Sequence, residues 1–284
     1  MGQKEYVEHL QDVWVIQMGL AEGFDAWLIT VGNEILIGKT VNSNFAWLGR
    51  KLTLLGYKVK GGIIVPDILE DISWAFKTAL ARGARVIIST GGLGPTFDDK
   101  TVEGLALALN VELQINEKAL KMIKEKYSKK GLPLTEARIK MAKLPKGAIP
   151  LPNPVGTAPG VHIVIGGCDI FLLPGVPREI EAIFEACVEP MLREKGPNVF
   201  FAEAKLRSYG VPESDIAPLV CKAMKDVGNV YIKSHPRGAE LGVPILEFHI
   251  TASSRSPEEA QKNVEKTRKK LIEYLKTKGA RIEE

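Results

Sequence analysis

The feature that most constrains the fold is a regular alternation of strand-like and helix-like segments between Ala26 and Leu109. Short runs of apolar and β-branched residues alternate with stretches that repeat apolar residues every three or four positions. The strand-like runs are 26–31, 58–65 and 86–90, and the helical patterns cover 45–55, 72–79 and 101–109. Such a β-α-β-α-β-α order is typical of a mainly parallel sheet with helices on both faces. The sequence therefore predicts an α/β fold.

The chain is long for one compact domain, since it has 284 residues. We expect an N-terminal extension over 1–25, an α/β domain over 26–195 and a smaller α+β domain over 196–284, whose pattern is βαββα. Within the extension, Val13 to Ile16 suit an edge strand, and Met18 is an alternative start of the chain. Polar residues and chain breakers between Glu194 and Asn198 set the predicted boundary.

Composition indicates a globular protein and narrows its class. Hydrophobic residues make up 45% of the chain, and the formal net charge is only +4 without a basic stripe, which argues against a nucleic-acid partner. No apolar run has transmembrane length, so a membrane partner is not expected. The cysteines Cys168, Cys187 and Cys221 form no CxxC pair, which argues against zinc and disulfides and favours the reducing cytoplasm.

The stretch from Val86 to Thr101 carries the strongest functional signal. A buried strand runs into a loop with three glycines and a proline, then two adjacent carboxylates, Asp98 and Asp99, just before a helix. Backbone N–H groups in such a loop can bind an anion. Carboxylate oxygens suit Mg²⁺ or a similar divalent cation better than zinc. The stretch predicts a phosphate site, formed by Gly91, Gly92, Leu93, Gly94, Pro95 and Thr96, beside a metal site.

The first strand also ends in a glycine-containing loop, which carries Glu34. In an open α/β sheet, ligands bind at the carboxyl ends of the strands, where the strand order reverses. The loops after the first and third strands are therefore expected to meet. Glu34 then either shares the metal with Asp98 and Asp99 or orients a water, and the alternative is an exposed turn residue.

Two later loops are candidate ligand contacts. Residues 153–160 have a small-residue pattern that lets a ligand approach Gly156, Thr157 and Ala158, and a merely stiff proline loop is the alternative. Residues 174–179 include Gly175 and place Arg178 at a helix start, where the helix dipole favours phosphate. The histidines have neither ligand spacing nor a nucleophile partner, and we assign them no catalytic role; they are His9, His162, His235 and His249.

Several motifs in fixed order resemble a known family. They are Gly32-Asn-Glu-Ile-Leu-Ile-Gly38, Thr90-Gly-Gly-Leu-Gly-Pro-Thr-Phe-Asp-Asp99, Asn153-Pro-Val-Gly-Thr-Ala-Pro-Gly160 and Leu173-Pro-Gly-Val-Pro-Arg-Glu179. The sequence resembles the MoaB/MogA-like molybdopterin-binding fold and, more closely, the N-terminal part of the CinA (competence/damage-inducible) family. Tyr209-Gly-Val-Pro-Glu-Ser214 also matches the CinA pattern. At Asn33 the chain departs from relatives that often carry Asp or Thr, whereas Glu34 matches.

The resemblance implies a three-layer α/β domain with its ligand site at the glycine-rich loop. CinA-like domains of this type are associated with metal-dependent hydrolysis of ADP-ribose, and related domains fused to FAD synthases with hydrolysis of FAD. MogA-like relatives bind molybdopterin and transfer adenylate to it. No segment resembles the C-terminal deamidase domain of full CinA proteins, so nicotinamide mononucleotide deamidation is not expected.

Three hypotheses follow for function. The first is a hydrolase of a nucleotide pyrophosphate, in which Asp98, Asp99 and Glu34 hold Mg²⁺ or another divalent cation such as Co²⁺ and contribute to catalysis. The second is a molybdopterin-binding or adenylyl-transferring protein that uses the same loop. The third is a non-catalytic nucleotide-binding module. In each case the ligand is a small nucleotide or pterin, and a homodimer is expected.

Overall fold

The computed structural model describes residues 23–237 and 243–283. The predicted edge strand at Val13 to Ile16 and nearly all of the predicted extension lie outside these residues. The described chain divides into two compact units, one of residues 23–53 with 57–196, the other of residues 54–56 with 197–283. The MoaB/MogA-like α/β pattern falls in the first of these units.

The first unit is built on a six-stranded sheet in the order β2-β1-β3-β8-β7-β6. Strands β2, β1, β3 and β8 are parallel, and β7 and β6 are antiparallel additions. The strand bounds are β1 Asp25–Val31, β2 Lys58–Val65, β3 Val86–Thr90, β6 Ile149–Leu151, β7 Gly160–Ile165 and β8 Cys168–Leu173. The order reverses between β1 and β3, because β2 lies on one side of β1 and β3 on the other. The predicted α/β fold with a mainly parallel sheet is confirmed.

Helices cover both faces of this sheet, which makes three layers. On one face, buried residues of α3, α4 and α5, such as Phe76 and Leu105, share a core with Ile87 of β3. On the other face, α2 lies over β1, and Trp47 packs edge-to-face on Phe184 at 5.2 Å between ring centroids. The helix bounds are α1 Asn33–Leu36, α2 Ser43–Leu54, α3 Leu69–Ala81, α4 Thr101–Leu109, α5 Glu117–Ser128, α6 Glu136–Lys140, α7 Pro177–Ile183 and α8 Glu189–Lys195.

The helical region around Pro190 differs from the sequence prediction. The sequence pattern of residues 178–194 predicts one amphipathic helix that Pro190 kinks or breaks. The structure instead joins α7 to α8 through a π-helical turn over Phe184–Val188. Proline lacks an N–H, and its ring crowds the carbonyl four residues earlier. The wider turn just before the proline relieves both conflicts, so the chain stays helical.

The proline- and glycine-rich region before β7 is more ordered than its pattern suggests. It contains α6 and β6, as well as β5 (Lys143–Pro145), which pairs with β4 (Leu113–Ile115) in a separate two-stranded sheet. These strands are three residues long, which is too short for an alternation pattern to be recognised. The two apolar runs that follow, 161–165 and 170–173 on either side of Gly166 and Gly167, predict a β-hairpin, and the structure forms it between β7 and β8.

Asn116 joins the start of α5 to this region. Its Oδ1 accepts a hydrogen bond from the Ala119 N–H at 3.1 Å, and its Nδ2 donates to the Ala148 carbonyl at 3.2 Å. Loss of an N-cap of this kind costs about 1 kcal/mol. We expect Asn116→Ala to lower the free energy of unfolding in urea by about that amount. Thr135→Ala is the control, because the Thr135 cap contact to Arg138 N is 3.4 Å long, and an equal loss in both variants would contradict the prediction.

The second unit has an antiparallel sheet in the order β10-β11-β9-β12, with α9 and α10. Its bounds are β9 Phe200–Tyr209, α9 Glu213–Val227, β10 Val230–Pro236, β11 Ile245–Ser254, α10 Pro257–Thr277 and β12 Arg281–Glu283. This is the predicted βαββα order with β12 added. Leu206, Phe248 and Leu271 lie in its core. Although α10 is the longest of the described helices, it is rich in charge, and no helix in the described ranges qualifies as a membrane span.

Candidate functional site

A cleft of about 470 Å³ lies at the carboxyl ends of β1, β3 and β8. It is placed where the strand order reverses between β1 and β3, which is the usual ligand position in open α/β sheets. The expectation that the loops after the first and third strands meet is confirmed. The predicted site residues that line the cleft are Glu34, Gly91, Gly92, Leu93, Gly94, Pro95, Thr96, Asp98, Asp99, Thr157, Ala158 and Gly175.

The glycine loop owes its path to two residues with positive φ, Gly91 (95°) and Gly92 (65°). A Cβ on Gly91 would lie 2.2 Å from the Val31 carbonyl oxygen, and one on Gly92 would lie 2.3 Å from Thr101 Oγ1. Thr101 is fully buried, and its hydroxyl donates to the Gly91 carbonyl at 2.8 Å. The start of α4 therefore fixes the loop against the end of β1, and only glycine fits at these two positions.

The glycine loop, whose residues line the cleft, has unused hydrogen-bond donors. Gly91 N–H donates to the Leu173 carbonyl at 3.1 Å, but the next three N–H groups, those of Gly92, Leu93 and Gly94, have no acceptor within 23–237 and 243–283. Successive free N–H groups in a loop of this kind form a concave anion site. Because these N–H groups have no protein acceptor, they are free to donate hydrogen bonds to a phosphate.

Thr96 organises the two aspartates. Its hydroxyl lies against Asp98 Oδ1 and Asp99 Oδ2, and its N–H donates to Asp99 Oδ2 at 2.8 Å. The hydrogen bond from Thr96 lowers the pKa of the Asp98 carboxyl below its ordinary value. Lys140 Nζ donates to the backbone carbonyls of Thr96 (2.8 Å) and Asp99 (2.5 Å), and so it holds the loop from behind. Asp98 is exposed and Asp99 half-buried, and hydrogen bonds with Thr96 hold both carboxylates in the cleft lining.

Asp67 is a cleft residue that the sequence reasoning missed. It follows the end of β2, and its Oδ2 accepts hydrogen bonds from Asn33 N (3.1 Å) and Asn33 Nδ2 (2.9 Å). Burial raises the pKa of the Asp67 carboxyl above its ordinary value, and the negative charges of Glu34, Asp98 and Asp99 add to the rise. The sequence could have indicated Asp67, because it follows β2, and the carboxyl end of β2 lies beside that of β1 in a parallel sheet.

The Asp67 pKa predicts a pH-dependent change in stability. A carboxyl whose pKa is raised on folding opposes folding once it ionises, above that pKa, and has no such effect below its unfolded value of about 3.8. We expect Asp67→Asn to unfold at higher urea concentration than wild type at pH 7, by at most about 1 kcal/mol, with the gain vanishing toward pH 3.5. Asparagine keeps an acceptor for Asn33.

Asp98→Asn serves as the comparison of opposite sign. The pKa of Asp98 is lowered on folding, so its ionised form adds stability above the unfolded value, and that contribution disappears as pH falls through the folded value. The Asp98 variant should therefore be less stable than wild type at pH 7 and match it in acid. A gain in stability for Asp67→Asn that does not depend on pH would contradict this assignment.

The loop of residues 153–160 contributes differently from expectation. Thr157 and Ala158 line the cleft, but Gly156 does not, because the carboxylate of Glu179 packs directly on its Cα. Arg178 lies in the first turn of α7, as predicted, but it does not line the cleft where a phosphate would bind. Arg178 is exposed outside the cleft, whereas Glu179 lines it. The first turn of the helix points its next residue inward, which the sequence pattern did not resolve.

The charged side chains of the cleft are of the type that the predicted metal site requires. Among the described residues that line it there are five carboxylates and no Lys or Arg; they are Glu34, Asp67, Asp98, Asp99 and Glu179. Their hard oxygen atoms fit Mg²⁺ or a similar cation. No three metal-ligating side chains converge in the described part of the chain. Mg²⁺ is commonly held by one or two carboxylates together with substrate phosphates. The carboxylates of the cleft therefore fit a cation that binds together with a phosphate-containing ligand.

Comparisons with known proteins agree with this fold. A family model described as a probable molybdopterin binding domain matches residues 27–194. A protein from Pyrobaculum calidifontis is 54% identical over 253 residues, which cover 89% of this chain and 96% of that protein. A protein from Aeropyrum pernix is 47% identical over 259 residues, which cover 91% and 96% of the two chains.

A solved structure is also similar. It is the crystal structure of the protein CinA, of unknown function, from Thermoplasma acidophilum, with 50% identity and a TM-score of 0.56. The match covers 59% of this chain and 98% of that chain. The motifs, the fold and these matches agree, and the chain belongs to the MoaB/MogA-like family of probable molybdopterin-binding domains, with a close similarity to CinA.

Proposed function

We propose that this protein hydrolyses the pyrophosphate linkage of a nucleotide such as ADP-ribose or FAD, with Mg²⁺ or another divalent cation such as Co²⁺ as cofactor. One observation carries the proposal. The free N–H groups of Gly92, Leu93 and Gly94 lie in the same cleft as the carboxylates of Asp98 and Asp99. An anion cradle beside hard oxygen ligands is the arrangement that phosphoryl transfer uses.

The carboxylates require a cation if a phosphate is to bind. The cleft is lined by five carboxylates without a lysine or arginine, so a pyrophosphate alone meets repulsion there. Asp98 and Asp99, with Glu34 on the facing loop, would hold the cation. When bound, it supplies positive charge against the charge that develops on the phosphate oxygens.

The residues of the chain have separate tasks in this proposal. The three free N–H groups bind and orient one phosphate. Thr96 and Lys140 keep the aspartate loop in place through hydrogen bonds to its side chains and backbone. Glu34 accepts a hydrogen bond from the attacking water, which orients the water toward phosphorus. Thr157 donates its hydroxyl to the second phosphate or to the nucleoside.

A second candidate is supported by the family match. The description of the matched family names a molybdopterin binding domain, so the same cleft would hold a pterin phosphate. That phosphate, rather than water, would attack the α-phosphate of ATP, and pyrophosphate would leave. The cradle and the carboxylates would serve both reactions. The acceptor alone distinguishes them.

Product analysis separates the candidates. The purified protein is incubated with ADP-ribose, FAD or NADH, with Mg²⁺, Co²⁺ or a chelator, and AMP is measured by chromatography. We expect metal-dependent AMP release from at least one of these compounds. If none of them yields AMP, the hydrolase proposal is wrong. Adenylation of added molybdopterin in the presence of ATP would support the second candidate, and tight binding without turnover would indicate a non-catalytic module.

A further inference from the structure

The carboxylate of Glu179 is held in the cleft by contacts that the reaction proposed above does not use. Glu179 lies in the first turn of α7, and its Oε2 accepts a hydrogen bond from Asn153 Nδ2 at 2.7 Å. We propose that its other oxygen, Oε1, selects the ligand by accepting a hydrogen bond from an O–H or N–H donor located away from the phosphates. This inference rests on the proposed function, since it concerns a nucleotide or pterin bound in the same cleft.

Asn153 provides a fixed partner for Glu179. It is 5% exposed, and all its hydrogen-bonding capacity is used. Its Nδ2 donates to Glu179 and to the Ala158 carbonyl (2.8 Å), and its Oδ1 accepts from Val155 N (3.1 Å) and Gly156 N (2.7 Å). The loop therefore closes around the amide, and the amide can turn only if the loop unfolds. A hydrogen bond from such a group fixes the orientation of the carboxylate.

The backbone of the same loop is shaped to admit the carboxylate. A Cβ on Gly156 would lie 2.1 Å from Glu179 Oε2, so the carboxylate occupies the space that any side chain would need. Lys126 Nζ, from α5, donates to the carbonyls of Asn153 and Gly156, the latter at 2.7 Å. Helix α5, the loop of residues 153–160 and helix α7 are distant in sequence, and together they position the Glu179 carboxylate. The space that this carboxylate occupies explains why residue 156 is glycine.

The charge of Glu179 indicates which part of the ligand it meets. Within the described ranges, its Oε1 has no hydrogen-bond donor, although the residue lines the cleft. A carboxylate repels phosphate, so a ligand whose phosphates lie on the Gly92–Gly94 N–H groups would place a neutral part near Glu179. A ribose hydroxyl or a ring amino group provides the donor that an ionised carboxylate favours.

The substitution Glu179→Gln reverses the hydrogen-bonding character of the position that Oε1 occupies. Asn153 Nδ2 still needs an acceptor, so the amide oxygen of glutamine takes the place of Oε2 and its NH₂ group takes the place of Oε1. Shape and the bond to Asn153 are kept, whereas the acceptor offered to the ligand becomes a donor. Glu181→Gln is the matched control, because Glu181 lies two residues later on the same helix and is exposed outside the cleft.

The test measures binding separately from turnover. Dissociation constants for ADP-ribose, FAD and ATP are determined by calorimetry with Mg²⁺, and AMP release is followed for those that bind. For Glu179→Gln we expect the dissociation constant to rise about 10- to 100-fold, the range for hydrogen bonds to charged groups, with wild-type urea unfolding. Gly156→Ala should weaken binding similarly by displacing the carboxylate, and Glu181→Gln should not.

The outcomes separate this inference from the proposed function. Binding that depends on Glu179 without any AMP release supports the inference and refutes hydrolysis. Unchanged binding and turnover in Glu179→Gln overturns the inference and leaves hydrolysis standing. Failure of wild type to bind any of the three nucleotides overturns both.

Ligands that each lack one donor group identify which group of the ligand donates to Glu179. ADP is compared with 2′-deoxy-ADP, which lacks a ribose hydroxyl, and with purine riboside 5′-diphosphate, which lacks the ring amino group. If Glu179 contacts one of these groups, removing that group weakens binding to wild type but has little effect on Glu179→Gln, since both changes delete the same interaction. Additive effects for both ligands would overturn the assignment of Oε1 as acceptor.

Discussion

Replacing both Asp98 and Asp99 by asparagine is expected to reduce AMP release from ADP-ribose by at least about 100-fold, the usual size of lost charge stabilisation in a preorganised site. The two carboxylates line the same cleft as the free N–H groups of the glycine loop and are held there by Thr96. Asparagine keeps an acceptor for the Thr96 hydroxyl and N–H, so the loop retains its hydrogen bonds. Only the negative charge is removed.

A matched control is available in the second unit. Asp226 is also an aspartate whose pKa is lowered by a hydroxyl hydrogen bond, from Tyr274 at 2.6 Å. Asp226→Asn should leave AMP release unchanged. In urea the double variant should show the loss of stability expected for Asp98→Asn at pH 7, but it should be fully folded under the assay conditions. Retained activity in the Asp98 and Asp99 variant would mean that the cation is held elsewhere.

Gly91→Ala is expected to cost roughly 2–5 kcal/mol of unfolding free energy and to abolish turnover. Alanine is strained at a φ of 95°, and its Cβ would lie 2.2 Å from the carbonyl oxygen of Val31, which belongs to the rigid end of β1. Either the loop or the strand end must move. The N–H groups that follow Gly91 would then no longer point into the cleft.

Gly83→Ala separates the two contributions to this loss. Gly83 has a similar φ of 77° at the end of α3, and a Cβ there would meet no atom within 4 Å. Gly83→Ala should lose only the unfolding free energy that the left-handed backbone conformation costs alanine, about 1–2 kcal/mol. It should release AMP as wild type does. Equal effects of the two substitutions on stability and activity would show that the contact with Val31 does not determine the loop.

The parts of the fold that follow from local pattern were predictable from the sequence. The helix over Thr101–Leu109 and the strand over Val86–Thr90 were predicted with their observed bounds. Both depend on apolar periodicity and on flanking residues. The position of the cleft also followed, because strand-end loops meet at a reversal of strand order in any open parallel sheet.

The residues that were missed depend on contacts between distant segments. The packing of Gly156 on Glu179 joins positions 23 residues apart, and its purpose is invisible in a loop of prolines and glycines. Whether Arg178 or Glu179 faces the cleft depends on the exact rotation of the first turn of α7. Asp67 is a single acidic residue after a strand, and only the neighbouring carboxylates give it significance.

Isotope labelling of the products tests the central claim most directly. The wild-type protein is incubated with ADP-ribose and Mg²⁺ in H₂¹⁸O, and the products are analysed by mass spectrometry. Hydrolysis predicts one ¹⁸O atom in the phosphate of either AMP or ribose 5-phosphate, with no labelled product when the metal is chelated. Products that carry no ¹⁸O, or an adenylyl group found on another acceptor, would contradict the proposal that water is the nucleophile in this cleft.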